Sequence, residues 1–188
     1  MILPRTALPG LILCLLLAGC SPVLTATRSE PIEDDRSTRT FGRKIDDSLI
    51  ETKASVNIAK ADPALDSDSH IVVVSYNGVL LVAGQTPSQA LKEKAGQAAS
   101  TVQGVRLVHN ELQITSPSSL LARSNDSWLT TKIKTQMLGD NATIKVVTEN
   151  GIVYLMGLVT RQQGDLAAST VQSISGVQRV VKLFEYLN

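Results

Sequence analysis

Cysteine and histidine are scarce in this chain, with two of each among 188 residues. Both cysteines, Cys14 and Cys20, lie within the first twenty positions. The remainder therefore has no disulfide, no thiolate metal ligand and no cysteine nucleophile. His70 and His109 stand apart, one before a predicted strand and one inside a strand. Asp66, Asp68 and His70 alternate in "LDSDSH", but no further ligand lies nearby at metal spacing, so the segment reads as a solvated turn. No G-x-S-x-G is present, and the glycines do not open a helix as G-x-G-x-x-G. We read no catalytic residues, no metal site and no cofactor. Charge of one sign is also missing: 18 Lys and Arg against 17 Asp and Glu give a net +1. Without a basic field, nucleic acid is not an expected partner. Aromatic residues make up 3%, with a single tryptophan, Trp128. Long apolar runs are missing beyond the N-terminus.

The N-terminus reads "MILPRTALPGLILCLLLAGCSP". Arg5 is its only charge, and the apolar run Leu11 to Leu17 is too short to span a bilayer. It ends in Leu17-Ala18-Gly19-Cys20, which resembles the lipobox of bacterial lipoproteins. That resemblance implies a signal peptide over 1–19, cleavage before Cys20, and lipidation of the Cys20 thiol with diacylglycerol and palmitate. Each buried CH₂ would contribute about 0.8 kcal/mol, so two or more chains hold firmly. Ser21 follows where Asp would favour inner-membrane retention by the enteric sorting rule, which implies the outer membrane. Residues 20–45 read as a polar tether, including "SPVLTATRSEPIEDDRSTRTFGRK". As a coil it would reach about 25–30 Å.

Beyond the tether the chain repeats itself. "DSLIETK" (47–53) returns as "DSWLTTK" (126–132), "VVVSYNGVLLVAGQT" (72–86) as "KVVTENGIVYLMGLVT" (145–160), and "VQGVRLVHNELQI" (102–114) as "ISGVQRVVKLFEY" (174–186). Three blocks recurring in one order mean a duplicated structural unit. In each copy a helix comes first, with Ile50, Ala54 and Ile58, or Leu129, Ile133 and Met137, at i, i+4, i+8. Two β-branched runs follow, joined by Asn77-Gly78 or Asn150-Gly151, the signature of a type I′ hairpin. A second helix is expected to start in a capping box at Thr86-Pro87-Ser88-Gln89, with Thr160-Arg161-Gln162-Gln163 as its counterpart. Leu91, Ala95, Ala98 and Val102 form its buried stripe. Gly104 or Gly176 then precedes a last strand. The order is α-β-β-α-β. The crossover makes the third strand parallel to its neighbour, which predicts an α+β fold: a mixed three-stranded sheet covered by two helices in each unit.

These residues resemble a known family. The Asn-Gly hairpin, the glycine after the second strand (Gly84, Gly157) and the late Gly-Val (Gly104-Val105, Gly176-Val177) resemble the BON domain. Two such units behind a lipobox are similar to dual-BON outer-membrane lipoproteins. The domains are then expected at 46–114 and 125–188, with 115–124 as linker. The resemblance implies an anionic phospholipid membrane as partner, a periplasm-facing position on the outer membrane, and support of envelope integrity, in some members at the division site. BON domains also occur in periplasmic stress proteins, which leaves a protein-interaction or chaperone-like module as the alternative.

Trp128 is the residue that separates those readings. The core face of its helix is supplied by Leu129, Ile133 and Met137. Trp128, Thr131, Lys132, Thr135 and Leu138 share a neighbouring face. A ring beside threonine and lysine suits a membrane interface, with Lys132 toward phosphate. The first copy carries Leu49, Thr52, Lys53 and Val56 in the matching places. The alternative is that Trp128 fills the seam between the two domains or packs on Leu120 and Leu121. The sequence leaves both open.

Overall fold

A computed structural model describes residues 39–137 and 143–187. The expected signal peptide, Cys20 and most of the expected tether lie outside the described residues, as does Leu138. The first unit runs α1 (Phe41–Ala61), α2 (Pro63–Ser67), β1 (His70–Tyr76), β2 (Val79–Thr86), α3 (Gln89–Ser100) and β3 (Leu107–Ile114). The second runs α4 (Leu120–Gln136), β4 (Lys145–Glu149), β5 (Ile152–Val159), α5 (Arg161–Gln172) and β6 (Arg179–Tyr186). Each unit closes its own three-stranded mixed sheet, ordered β1-β2-β3 and β4-β5-β6. The central strand pairs antiparallel with its hairpin partner and parallel with the strand after the crossover. The α+β order expected from the repeat is the one observed, with the short α2 added.

Both turns take the expected backbone. Asn77 and Gly78 have φ of 53° and 77°, and Asn150 and Gly151 have 50° and 73°. The second capping box forms as read, with Thr160 accepting from Gln163 N–H and the Gln163 side chain accepting from Thr160 N–H. The first does not. Thr86 is still in β2 and buried, its carbonyl accepting from Thr115 N–H at 3.1 Å. The strand thus extends through Thr86, and Ser88 becomes the N-cap, accepting from Leu91 N–H. The buried stripe of α3 is Ala95, Ala99 and Val102, with Leu91 and Ala98 partly covered. α1 begins at Phe41 behind an N-cap at Thr40, and α4 begins at Leu120 behind Ser119. Helix therefore occupies the last residues of the expected tether and the second half of the expected linker.

Three apolar layers result. One lies between α1, α3 and the first sheet, built on Ile50, Ala54, Ile58, Leu80, Val82 and Leu112. Its counterpart lies between α4, α5 and the second sheet, on Leu129, Ile133, Val153, Leu155, Ala167 and Val171. The third is between the sheets themselves, where Leu81, Ala83 and Tyr76 meet Tyr154, Met156 and Leu183. Successive residues of β2 point to opposite faces, so Leu80 and Val82 enter the helix-side layer while Leu81 and Ala83 enter the sheet-side one. Polar links cross this seam: Gln85 donates to the buried Glu149 at 2.9 Å, and Lys145 pairs with Glu51 at 2.8 Å.

One buried acid per unit ties the first helix to the hairpin. Asp47 accepts from Asn77 N–H and Gly78 N–H, each at 2.9 Å, and Asp126 accepts from Asn150 N–H at 2.7 Å and Gly151 N–H at 2.9 Å. This is why the aspartate recurs at the head of "DSLIETK" and "DSWLTTK". Asp47 also receives Ser75 Oγ at 2.7 Å and Arg39 Nη1 at 2.6 Å. Burial raises the Asp47 carboxyl pKa, but the hydrogen bonds from Ser75, Gly78, Asn77 and Arg39 outweigh it and hold it below its ordinary 3.8. A depressed carboxylate pKa stabilises the fold above the unfolded value, and that contribution is lost as pH falls through the folded one. Asp47→Ala is expected to cost on the order of 3 kcal/mol at neutral pH, because the turn amides lose their acceptor. Thermal melts at pH 7 and below pH 4 check this: the variant melts well below wild type at pH 7, and the gap narrows in acid.

Candidate functional site

The orientation of α4 is set by three inward residues at i, i+3, i+7. Asp126 clamps the hairpin turn, and Leu129 and Ile133 are fully covered in the helix-side layer. With that face fixed, the neighbouring positions are turned to the side. Trp128 is 60% exposed. Lys132 Nζ lies 5.1 Å from the centre of the Trp128 ring and donates to Ser175 O at 3.3 Å. The ammonium is thus held beside the ring by a cation–π contact and a carbonyl.

Thr131 and Thr135 complete the face, both exposed. Their hydroxyls donate to the carbonyls of Ser127 and Thr131, at 3.0 and 2.9 Å. Hydroxyls satisfied within the helix make this strip less demanding of water than its residue types suggest. The structure brings together four of the five residues read for this face, and Leu138 lies outside the described residues. The seam contains no Trp128: it is sheet against sheet. Leu120 and Leu121 are each 81% exposed, so they do not pack under the ring.

The first copy presents a related strip. Leu49, Lys53 and Val56 are exposed on α1, as matched from the repeat. Phe41, 77% exposed, and Ile45 extend the apolar stripe toward the helix start. Those two were missed as tether. The signal was present: Thr40 is a helix N-cap residue, and Phe41, Ile45 and Leu49 fall at i, i+4, i+8.

Comparison with known proteins fits this geometry. The BON domain model matches residues 46–116 and 125–188. The chain belongs to the BON-domain family. Among its relatives, outer membrane lipoprotein DolP of Haemophilus influenzae is 37% identical over 176 residues, covering 92% of this chain and 91% of that one. The 21 kDa hemolysin of Actinobacillus pleuropneumoniae is 35% identical, over 79% of this chain and 78% of its own length. Osmotically-inducible protein Y of Escherichia coli is 31% identical, over 83% and 80%. This BON protein carries both copies in the dual arrangement, and its similarity to DolP runs across nearly the whole chain.

Proposed function

We propose that this BON protein is a lipid-anchored outer-membrane protein facing the periplasm, whose second domain holds anionic phospholipid and so supports envelope integrity, including at the division site. The observation that carries the reading is the α4 face, where an exposed tryptophan ring and a fixed lysine lie side by side on a helix whose opposite face is buried. An amphipathic ring rests at headgroup depth, and the ammonium meets lipid phosphate. DolP of H. influenzae, similar over most of its length, is an outer membrane lipoprotein by name, which supports the same placement. The anchor rests on Leu17-Ala18-Gly19-Cys20. Radiolabelled palmitate is expected to enter the wild-type chain and not Cys20→Ala, and equal labelling of the two overturns the anchor.

Lipid binding is tested by sedimentation with vesicles, using residues 39–188. Retention on phosphatidylglycerol vesicles and release from phosphatidylcholine vesicles is the expected result. Equal behaviour with both lipids overturns the reading. One observation favours a second reading, a periplasmic protein-interaction or chaperone-like stress module: the similarity to osmotically-inducible protein Y. On that reading the exposed stripe of α1 receives a protein, and neither vesicle type retains the chain.

A further inference from the structure

At one end of the seam, β1 leaves the first sheet and β4 enters the second. There Arg39, Lys44, Lys134 and Lys145 line a cleft of about 460 Å³. Tyr76 and Ile144 form its apolar walls. Both domains build it. Arg39 precedes α1 and lies over the Tyr76 ring at 4.5 Å. The Tyr76 hydroxyl donates to Thr143 O at 3.0 Å, and Lys145 Nζ donates to Glu51 at 2.8 Å and to Ser75 O at 3.4 Å. The cleft is therefore held open by contacts that cross between the two copies.

Among the described residues its charge is not balanced. Arg39 is matched by Asp47 and Lys145 by Glu51. Lys44 and Lys134, both exposed, have no carboxylate partner among the described residues. Arg39 Nε is buried without an acceptor. Two ammonium groups without a carboxylate among the described residues, on the lining of one hollow, call for a ligand with several anionic oxygens. A carboxylate offers two oxygens in one plane, whereas a phosphate monoester offers three charged oxygens splayed out of one plane, which suits separate point donors better than a planar fork. The volume lies in the range of small-ligand pockets.

We propose that this cleft binds a phosphate-bearing small ligand of polyol-phosphate size, either a free phosphate ester or a lipid headgroup. The site is distinct from the Trp128 ring but adjoins the Thr131 edge of that face: Lys134 leaves α4 about 120° around the helix from Trp128. A ligand there bridges the two domains through Lys44 of the first and Lys134 of the second.

The test is calorimetric titration of the full chain in non-ionic detergent at constant ionic strength, with sodium chloride as the control. Three probes are used: inorganic phosphate, glycerol 1-phosphate and dihexanoyl phosphatidylglycerol below its micelle concentration. Saturable binding of glycerol 1-phosphate is expected. Phosphatidylglycerol binding as tightly as glycerol 1-phosphate assigns the cleft to a headgroup, and weaker binding assigns it to a free ester. Lys44→Glu combined with Lys134→Glu is expected to weaken binding about tenfold or more, since both are charge-assisted donors. Each single change should act in the same direction, so a fold defect in the double variant does not leave the question open. Lys44→Arg and Lys134→Arg should retain binding. Trp128→Glu should leave this titration unchanged whatever it does to vesicle binding, so the two proposals fail separately. Absence of saturation with all three probes, or unchanged affinity in the Lys→Glu variants, overturns the proposal.

Discussion

Gly84→Val is expected to remove the cooperative melt of the first domain. Gly84 sits in β2 opposite Ile71, with φ of +119°. A Cβ at that position would lie 2.0 Å from His70 O, 3.0 Å from His70 C and 3.3 Å from Ile71 Cα. All three atoms are backbone of the paired strand, so no rotamer change relieves the overlap. A β-branched residue at this φ adds strain of about 1–3 kcal/mol. Overlap with a carbonyl oxygen raises the total to roughly 4 kcal/mol or more, the range of severe single mutations. A small domain has only about 5–15 kcal/mol to lose. Gly151→Val supplies the comparison. Its φ is +73°, but the atoms met there belong to the Gln178 side chain, which can swing away. That variant should lose about 1–3 kcal/mol, the cost of backbone strain alone. Gly157 has no positive φ, and its nearest clash is at 3.2 Å to Thr143 O, so Gly157→Ala should be milder than Gly84→Ala. Circular dichroism melts on the variants rank them. A wild-type melt for Gly84→Val means that β1 and β2 do not pair in this register.

The hairpins, crossovers and helix faces were legible because their causes are local. Asn-Gly sets the turn within four residues, and an i, i+4, i+8 stripe sets a helix face within three turns. The seam was not read, although its trace is in the sequence. "VLLVAG" and "IVYLMG" are continuous apolar runs rather than alternating ones. A strand with one face toward helices and one toward water should alternate, and a strand without alternation is covered on both faces. Tyr154 and Met156 are nearly fully buried against the other sheet. A fragment beginning near residue 117 would uncover that surface, so such a fragment should self-associate even if each sheet closes within its own unit. The aspartate clamps were equally out of reach, since Asp47 and its turn are thirty residues apart. The basic cleft draws on four separate stretches of chain, none of them unusual by itself. The α4 face was legible because it is a helix face, read from spacing alone. What covers it is not a property of the helix.

Trp128→Glu is expected to abolish retention on anionic vesicles while leaving the melting temperature within a few degrees of wild type. The ring is 60% exposed and contributes nothing to any of the three apolar layers, so the fold loses chiefly the contact with Lys132. An exposed cation–π pair is worth about 0.5–1 kcal/mol. At a membrane the same ring would bury its apolar surface, and its loss would cost roughly 1.5–3 kcal/mol of binding. The introduced carboxylate adds repulsion from lipid phosphate and from the negative surface potential. Lys132→Glu should weaken retention less per charge, about 1 kcal/mol for each basic residue lost near the surface, and its effect should shrink as salt screens it. Leu49→Glu, at the corresponding place on α1, should change vesicle binding less, because that strip has no ring paired with a lysine and its aromatic residue, Phe41, stands about two turns away at the helix start. A large fall in melting temperature for Trp128→Glu would mean that the ring is buried in the fold. Unchanged melting with unchanged vesicle binding would mean that lipid is held elsewhere, and the α4 face would then be left to a protein partner.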